Sequence, residues 1–105
     1  MHIYQIIIEY DGTNFVGWQI QKNGMSIQET IQKALTKTLK QKIILYGSGR
    51  TDSGVHAFSQ SAHFITKKKI DNKFSFLNTL NFFLNKKKIS ILEIKKKKAK
   101  LSRKI

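Results

Sequence analysis

The segment Val55-His56-Ala57-Phe58-Ser59-Gln60-Ser61-Ala62-His63-Phe64-Ile65 decides the fold, because its side chains follow an alternating pattern. One side of the extended chain carries Phe58, Gln60, Ala62 and Phe64, and the other carries Ser59, Ser61, His63 and Ile65. Alternation of this kind is typical of a half-buried β-strand. We predict a strand over 55–65 whose Phe58 side faces the core.

A strand, a helix and another strand are predicted on the N-terminal side of this segment. Ile3 to Glu9 is rich in β-branched residues and ends at the turn signal Asp11-Gly12, so it predicts the first strand. Ser26 and Glu29 have the spacing of a capping box, which predicts a helix that runs to about Leu39. Ile43 to Tyr46 predicts a short strand, and the glycine-rich run Gly47–Gly54 that follows is predicted to be a loop.

On the C-terminal side the pattern predicts one more helix and one more strand. Asp71 is a candidate N-cap, and apolar residues then recur at helical spacing to about Asn85. Ile89 to Ile94 predicts the last strand. The predicted order is therefore β-α-β-β-α-β, an α+β fold of the ferredoxin-like, split βαβ type, whose antiparallel sheet carries both helices on one face. The other face of the sheet is left free for a ligand or a second domain.

The size and charge of the chain indicate one basic domain. The chain has 105 residues and a formal net charge of +14, and residues 95–105 are dominated by lysine. We predict a folded domain over residues 1–94 and a solvated, disordered tail over 95–105. The basic charge favours an anionic partner such as RNA, although a lysine-rich composition is also typical of proteins from A+T-rich genomes.

The composition also indicates a cellular setting. Without cysteine, neither a disulfide framework nor a thiolate metal site can form. The apolar N-terminal stretch is interrupted by polar residues well before it reaches the length of a signal or spanning segment. We therefore expect a cytoplasmic protein with no membrane association.

The run from Gly47 to Ala57 is the strongest candidate for a functional site. It contains one carboxylate, Asp52, close to the guanidinium of Arg50, and an opposite charge within ~4–6 Å favours the ionised carboxylate. An ionised carboxylate can act as a nucleophile. The residues by themselves leave a second interpretation open, in which Asp52-Ser53-Gly54 is only a turn.

Two other sets of residues are candidates for binding. His56 and His63 have no third ligand at a suitable spacing, so we interpret both as structural or close to RNA and predict no metal site. Trp18 and Phe15 could stack on bases, but they could equally pack in the core.

Three motifs resemble the tRNA pseudouridine synthase A (TruA) family. The string Gly49-Arg50-Thr51-Asp52-Ser53-Gly54-Val55-His56-Ala57 resembles the catalytic motif of that family almost letter for letter. The segment Glu9–Gln19 resembles the motif at its first strand, and Ser26-Ile27-Gln28-Glu29 resembles the start of its first helix. The resemblance runs from about Ile3 to Ile94. One departure is Ile20, where the family commonly has a basic residue.

The resemblance implies a reaction and a set of site residues. Asp52 would be the nucleophile that acts on uridines of the tRNA anticodon stem-loop, at tRNA positions 38, 39 and 40. The residues expected to contact the substrate or other RNA are Arg50, Thr51, Gly54, His56, Trp18 and Gln19. The resemblance implies no metal and no cofactor. Flipping the target uridine out of its stack costs a few kcal/mol, which contacts to the RNA must offset.

The length of the chain raises an alternative. Members of the family are more than twice as long, and their second domain supplies the other wall of the cleft. The chain is thus expected either to act as a synthase, as a homodimer or with a second-domain chain, or to be a truncated, inactive fragment that at most binds tRNA through its basic surface.

Three other interpretations fit the residues less well. Ile6–Thr13 superficially resembles the nucleophile motif of haloacid-dehalogenase-like phosphatases, but Glu9 stands in place of the nucleophilic Asp and the carboxylates needed for Mg²⁺ are missing. An RNA-recognition module shares the order of elements but not the aromatic signature found there. The glycine run lacks the spacing of a phosphate-binding loop.

Overall fold

The computed structural model describes residues 1–10, 26–52 and 58–97. Within these ranges the chain forms four strands and two helices in the predicted order. The strands are β1 (His2–Tyr10), β2 (Leu45–Asp52), β3 (Phe58–Thr66) and β4 (Ile89–Lys97), and the helices are α1 (Ile27–Leu39) and α2 (Lys73–Leu84). A single 3-10 turn, Asn85–Lys87, follows α2.

The four strands form one antiparallel sheet in the order β2-β3-β1-β4. The two central strands are therefore β3 and β1, and the two outer strands are β2 and β4. Strand β3 lies between β1 and β2 and is antiparallel to both, so β1 and β2 are parallel to each other. Strands joined by a helical crossover, as β1 and β2 are by α1, are parallel in a split βαβ fold. The predicted α+β, ferredoxin-like fold is confirmed.

Both helices pack on one face of the sheet and share one core with it. Alternate residues of the strands and the apolar stripes of the helices are buried in a single cluster, which includes Ile6, Ile8, Leu45, Ala62, Phe64, Ile31, Leu35, Phe76, Leu80 and Leu84. Gln60, Ala62 and Phe64 are buried as the alternation of β3 predicted, and Ser59, Ser61 and His63 on the opposite face are only partly covered. Each fully buried Leu or Ile contributes about 1.5–3 kcal/mol.

Tyr4 ties the central strand to the segment that precedes α2. Its ring stacks on Phe64 with centroids 5.8 Å apart, and its hydroxyl oxygen accepts a hydrogen bond of 2.8 Å from the backbone N–H of Ile70. A buried tyrosine usually needs such a partner for its hydroxyl group. The connection from β3 to α2 is thereby fixed to the core.

Helix α1 begins where the capping box predicted. The side chain of Ser26 accepts a hydrogen bond of 3.0 Å from the backbone N–H of Glu29, and the carboxylate of Glu29 lies 3.6 Å from the amino group of Lys33. The helix ends at Leu39, and the C-cap residue that follows, Lys40, is left-handed with φ 57°. Of the two α-helices in the described ranges, neither is long and apolar enough to cross a bilayer.

The prediction that Gly47–Gly54 forms a loop was wrong for residues 47–52. Strand β2 continues to Asp52 and pairs with β3, and its register shifts between Gly47 and Gly49. Ser48 is thus the extra residue of a β-bulge, a position at which glycine neighbours are common in strands. Pairing with a central strand outweighs the weak intrinsic preference of glycine for extended structure.

Further boundaries differ from the predictions. Strand β2 begins at Leu45 and not at Ile43, and β3 runs to Thr66 and not to Ile65. The predicted start of that strand, residues 55–57, lies outside the described residues.

The N-cap of α2 is Asn72 and not Asp71, because the side chain of Asn72 accepts a hydrogen bond of 2.9 Å from the backbone N–H of Ser75. Strand β4 extends to Lys97, since Lys95, Lys96 and Lys97 pair with β1, although they had been assigned to the tail. Residues 98–105 lie outside the described ranges.

Asn81 of α2 binds the outer strand β4. Its Oδ1 accepts a hydrogen bond of 2.7 Å from the N–H of Ile91, and its Nδ2 donates one of 3.1 Å to the C=O of Ile91. The register between β1 and β4 shifts at this point, so that Leu92 is the extra residue. The amide of Asn81 therefore takes the place of a strand partner at the bulge.

Replacing Asn81 with alanine is expected to destabilise the fold by about 2 kcal/mol, because two hydrogen bonds of about 1 kcal/mol each are lost at a partly buried site. Urea denaturation followed by circular dichroism measures the change. Asn78→Ala is the matched control, since Asn78 is exposed on the same helix. An equal effect of the two substitutions would show that Asn81 acts only through helix propensity.

Candidate active site

The segment that carries Asp52 is the end of the β2–β3 hairpin. In the register of the two strands Arg50 lies opposite Gln60, Thr51 opposite Ser59, and Asp52 opposite Phe58. Asp52 is the last residue of β2, so its backbone is held by the ladder on one side and leads into the connection to β3 on the other. Backbone pairing thus fixes the position of the main chain at Asp52.

The bulge at Ser48 sets the phase of the three residues that follow it. An extra residue in one strand displaces the backbone register of every later residue and increases the local twist. Arg50, Thr51 and Asp52 all follow this shift. The glycines of the motif therefore matter to the site as the neighbours of a bulge in a strand, which the sequence did not reveal.

Two glutamines of α1 hold the start of β2. The side-chain amide of Gln28 donates a hydrogen bond to the backbone C=O of Leu45, and the N–H of Leu45 donates one of 2.9 Å to Oε1 of Gln32. Because β2 is an outer strand, these amides occupy backbone groups on its free edge. Sequence reasoning missed both residues, although their spacing of four places them on one flank of the helix.

Gln60 is a buried polar residue in the middle of the hairpin. Its side chain is 5% exposed, and its Nε2 donates a hydrogen bond of 3.1 Å to the backbone C=O of Ser61. Its Oε1 has no hydrogen-bond partner among the residues that the structure describes. An unpaired buried acceptor costs about 1–3 kcal/mol, so this oxygen is a favourable acceptor for a donor group that reaches the hairpin.

The open face of the sheet presents flat and polar groups next to the hairpin. Tyr46 and His63 stack with centroids 5.3 Å apart and an interplanar angle of 21°. On the neighbouring strand, Gln5 donates a hydrogen bond of 2.6 Å to the hydroxyl of Ser61. Aromatic faces of this kind can stack on any base, and hydroxyl and amide groups can form hydrogen bonds with the edges of the base.

The predicted site residues are described to different extents. For Arg50, Thr51 and Asp52 the structure brings the backbones together on one strand. The predictions for Trp18, Gln19, Gly54 and His56 fall on residues outside the described ranges. Across residues 1–10, 26–52 and 58–97, no three His, Cys, Asp or Glu side chains are grouped so that they could hold a metal ion.

Burial and neighbouring positive charges lower the pKa of a histidine at the end of the sheet. Partial burial of the His2 ring lowers its pKa below the ordinary 6.5, and the positive charges of Lys96, the N-terminus and Lys69 lower it further. Protonation of His2 therefore opposes folding. This histidine does not reduce stability above about pH 6.5, and it destabilises the fold as the pH falls from there through its lowered pKa.

Added salt is expected to raise the pKa of His2 toward 6.5, because it screens the neighbouring positive charges. A titration of His2 by NMR at low and high salt measures the shift, and Lys96→Gln is expected to raise this pKa at low salt. Lys87→Gln, which removes a charge of the same sign elsewhere, is the control. A pKa of His2 that is insensitive to both salt and Lys96→Gln would rule out the electrostatic contribution.

The chain is similar to known proteins over most of its length. The family model described as tRNA pseudouridine synthase matches residues 6–102. The tRNA pseudouridine synthase A of Pelagibacter ubique is 59% identical over 100 residues, which cover 95% of this chain and 41% of that protein.

Two further relatives match shorter stretches. The tRNA pseudouridine synthase A of Ruminiclostridium cellulolyticum is 54% identical over 77 residues, covering 72% of this chain and 31% of the relative. The tRNA pseudouridine synthase A 1 of Protochlamydia amoebophila is 58% identical over 72 residues, covering 68% of this chain and 28% of the relative. The chain therefore spans less than half the length of these curated relatives.

Proposed function

Because the chain belongs to the tRNA pseudouridine synthase family, we propose that it converts uridine to pseudouridine in tRNA, with Asp52 as the nucleophile. The observation that carries the proposal is the position of the Asp52 motif at the end of a paired hairpin. A strand end held by a ladder presents its last side chain with little loss of backbone entropy, which suits a group that must attack a fixed atom.

The reaction is an isomerisation with no net change in composition. The bond between N1 of uracil and C1′ of the ribose breaks, the base turns, and a new bond forms between C5 and C1′. The proton on C5 leaves to water, and N1 gains a proton. The carboxylate of Asp52 assists the first step, and the balance of atoms requires neither an oxidant nor a metal or cofactor.

The substrate proposed is the anticodon stem-loop of tRNA, with uridines at tRNA positions 38, 39 and 40 as targets. The glycosidic bond of a stacked and paired uridine is inaccessible, so the nucleotide must be flipped out at a cost of a few kcal/mol. We assign the contacts that offset this cost to Arg50, Thr51, Gly54, His56, Trp18 and Gln19. The formal net charge of +14 supports encounter with a polyanion.

The other wall of the cleft is proposed to come from the part of the enzyme that corresponds to the unmatched remainder of the longer relatives, or from a second copy of the chain. The chain matches 41% of the length of the Pelagibacter relative, so the sheet described above corresponds to only part of that protein. Either of these would enclose the open face of the sheet. We place the assembled enzyme in the cytoplasm, where tRNA is modified.

Release of tritium from tRNA transcripts labelled at C5 of uridine tests the proposal, since that hydrogen leaves only when the new carbon–carbon bond forms. The chain is assayed alone and with the C-terminal part of the Pelagibacter relative supplied as a separate polypeptide. Release in either assay supports the proposal. If neither assay gives release although tRNA is bound, the alternative holds, and the chain is a binding fragment without catalytic activity.

A binding fragment would have a distinct signature. Its affinity for tRNA would fall steeply with salt, because displaced counterions supply the free energy of binding. It would also bind a stem-loop without uridine as tightly as the uridine-containing one. The charge of the chain is the observation that favours this second candidate.

A further inference from the structure

A basic groove runs between the two helices, on the side of the molecule away from the open face of the sheet. It encloses about 390 Å³. Its floor is formed by Ala34, Phe83 and Leu84, and its rim carries Lys33, Lys37 and Lys87. We refer to these six residues as the lysine groove.

The three lysines give the groove a positive rim that extends beyond it. The amino group of Lys37 lies 5.1 Å from the centroid of the Phe83 ring, so this cation is held over an aromatic face. A second hollow of about 350 Å³ shares Lys33 and Lys37 and adds Lys42. The positive charge therefore crosses α1 as a continuous strip. Glu29 is an acidic group beside this strip, and its carboxylate contacts Lys33.

An exposed aromatic ring, that of Phe82, contacts Phe83 of the lysine groove. Phe82 is 78% exposed, and its ring meets that of Phe83 edge to face with centroids 5.7 Å apart. A large exposed aromatic side chain is costly in water, and next to a row of cations it forms the combination that binds single-stranded nucleic acid. Lysine is depleted at the cores of protein–protein interfaces, which makes a protein partner less suitable here.

We propose that the lysine groove binds the sugar–phosphate backbone of a single-stranded stretch of RNA, with one base stacked on Phe82. The three rim lysines neutralise phosphates, and the apolar floor contacts the sugars. This inference rests on the proposed function only in taking RNA as the partner. It adds a second RNA contact on the helical layer, separate from the site at Asp52.

The first test measures binding of a fluorescent oligoadenylate by anisotropy, because an RNA without uridine cannot be a substrate. The variant K33Q/K37Q/K87Q is compared with K67Q/K68Q/K69Q, which removes three exposed lysines from the segment between β3 and α2. Both variants lower the formal charge of +14 by three. The groove variant is expected to bind oligoadenylate at least about tenfold more weakly than the natural chain. The slope of log K against log salt concentration is expected to become shallower by about two, because each of the three lost phosphate contacts contributes about 0.7.

The second test addresses the stacked base. Phe82→Ala is expected to weaken oligoadenylate binding about fivefold or more while leaving the salt slope unchanged, because stacking involves no counterion. Phe74→Ala is the control, since Phe74 is similarly exposed and lies two turns away on the same helix. All of these side chains are exposed or on the rim, and circular dichroism checks that each variant keeps its fold.

Several results would overturn the proposal. If the two triple variants lose affinity equally, net charge and not the groove determines binding. If polyglutamate competes with oligoadenylate as well as RNA does, the groove is a general anion site. Oligoadenylate binding is measured without turnover, so the lysine groove can be supported even if the chain proves to have no synthase activity.

Discussion

Asp52→Asn is expected to lower pseudouridine formation by about a thousandfold or more, as removal of a nucleophile does in other enzymes. Asparagine has nearly the same shape as aspartate but carries no charge and cannot act as the nucleophile. The backbone of residue 52 pairs with Phe58 in the sheet, and the substitution leaves those groups intact. Tritium release from tRNA, under whichever of the two conditions gives activity with the natural chain, measures the loss.

Asp71→Asn is the matched control for this experiment. It makes the same chemical change at an exposed carboxylate just outside the N-cap of α2. We expect its turnover to stay within about twofold of the natural chain, since surface substitutions away from special features have little effect. Turnover that survives Asp52→Asn would refute the assigned nucleophile, and an equal loss in both variants would point to net charge.

Leu80→Ala is expected to destabilise the fold by about 3–4 kcal/mol, because it removes three carbon atoms from a closed core and leaves a cavity. Leu80 is 0% exposed and belongs to the cluster shared by the helices and the sheet. A domain of this size has a total stability on the order of 5–15 kcal/mol. The variant is therefore expected to lose a large part of its stability, and urea denaturation measures how much.

Leu92→Ala provides the comparison for Leu80→Ala, because it makes the same truncation at a side chain that is 52% exposed. Its expected cost is below about 1 kcal/mol, since most of this side chain is already in contact with water. If the two variants were equally destabilised, α2 would not pack on the sheet as described. The comparison thus tests the helical layer that also carries the lysine groove.

The sequence predicted the fold well where one residue type repeats with a clear period. The alternation in β3 predicted both the strand and its buried side, and the spacing of Ser26 and Glu29 predicted the start of α1. It failed at Gly47–Asp52, because whether glycine continues a strand depends on the partner strand, and local sequence does not identify that partner. The α2 cap was missed because Asp71 and Asn72 are both good capping residues.

The candidate site was predicted in chemistry but not in geometry. The motif around Asp52 pointed to the family, which the family match confirmed. The sequence did not predict the bulge at Ser48 or the hydrogen bonds of Gln28 and Gln32 with the backbone of Leu45. These features depend on which flank of a helix reaches which edge of a strand. The assigned roles of Asp52 and the RNA-contacting residues remain predictions, and Asp52→Asn tests the first of them.

The contact between Asn81 and Ile91 also affects how the protein behaves at high concentration. Strand β4 contains Ile89, Ile91, Leu92 and Ile94 within six residues, a composition suited to fibril formation by identical copies. With its amide on Ile91, Asn81 blocks the middle of this segment from templating a neighbouring molecule. This single side chain is therefore expected to oppose edge-to-edge association of β4 with other molecules.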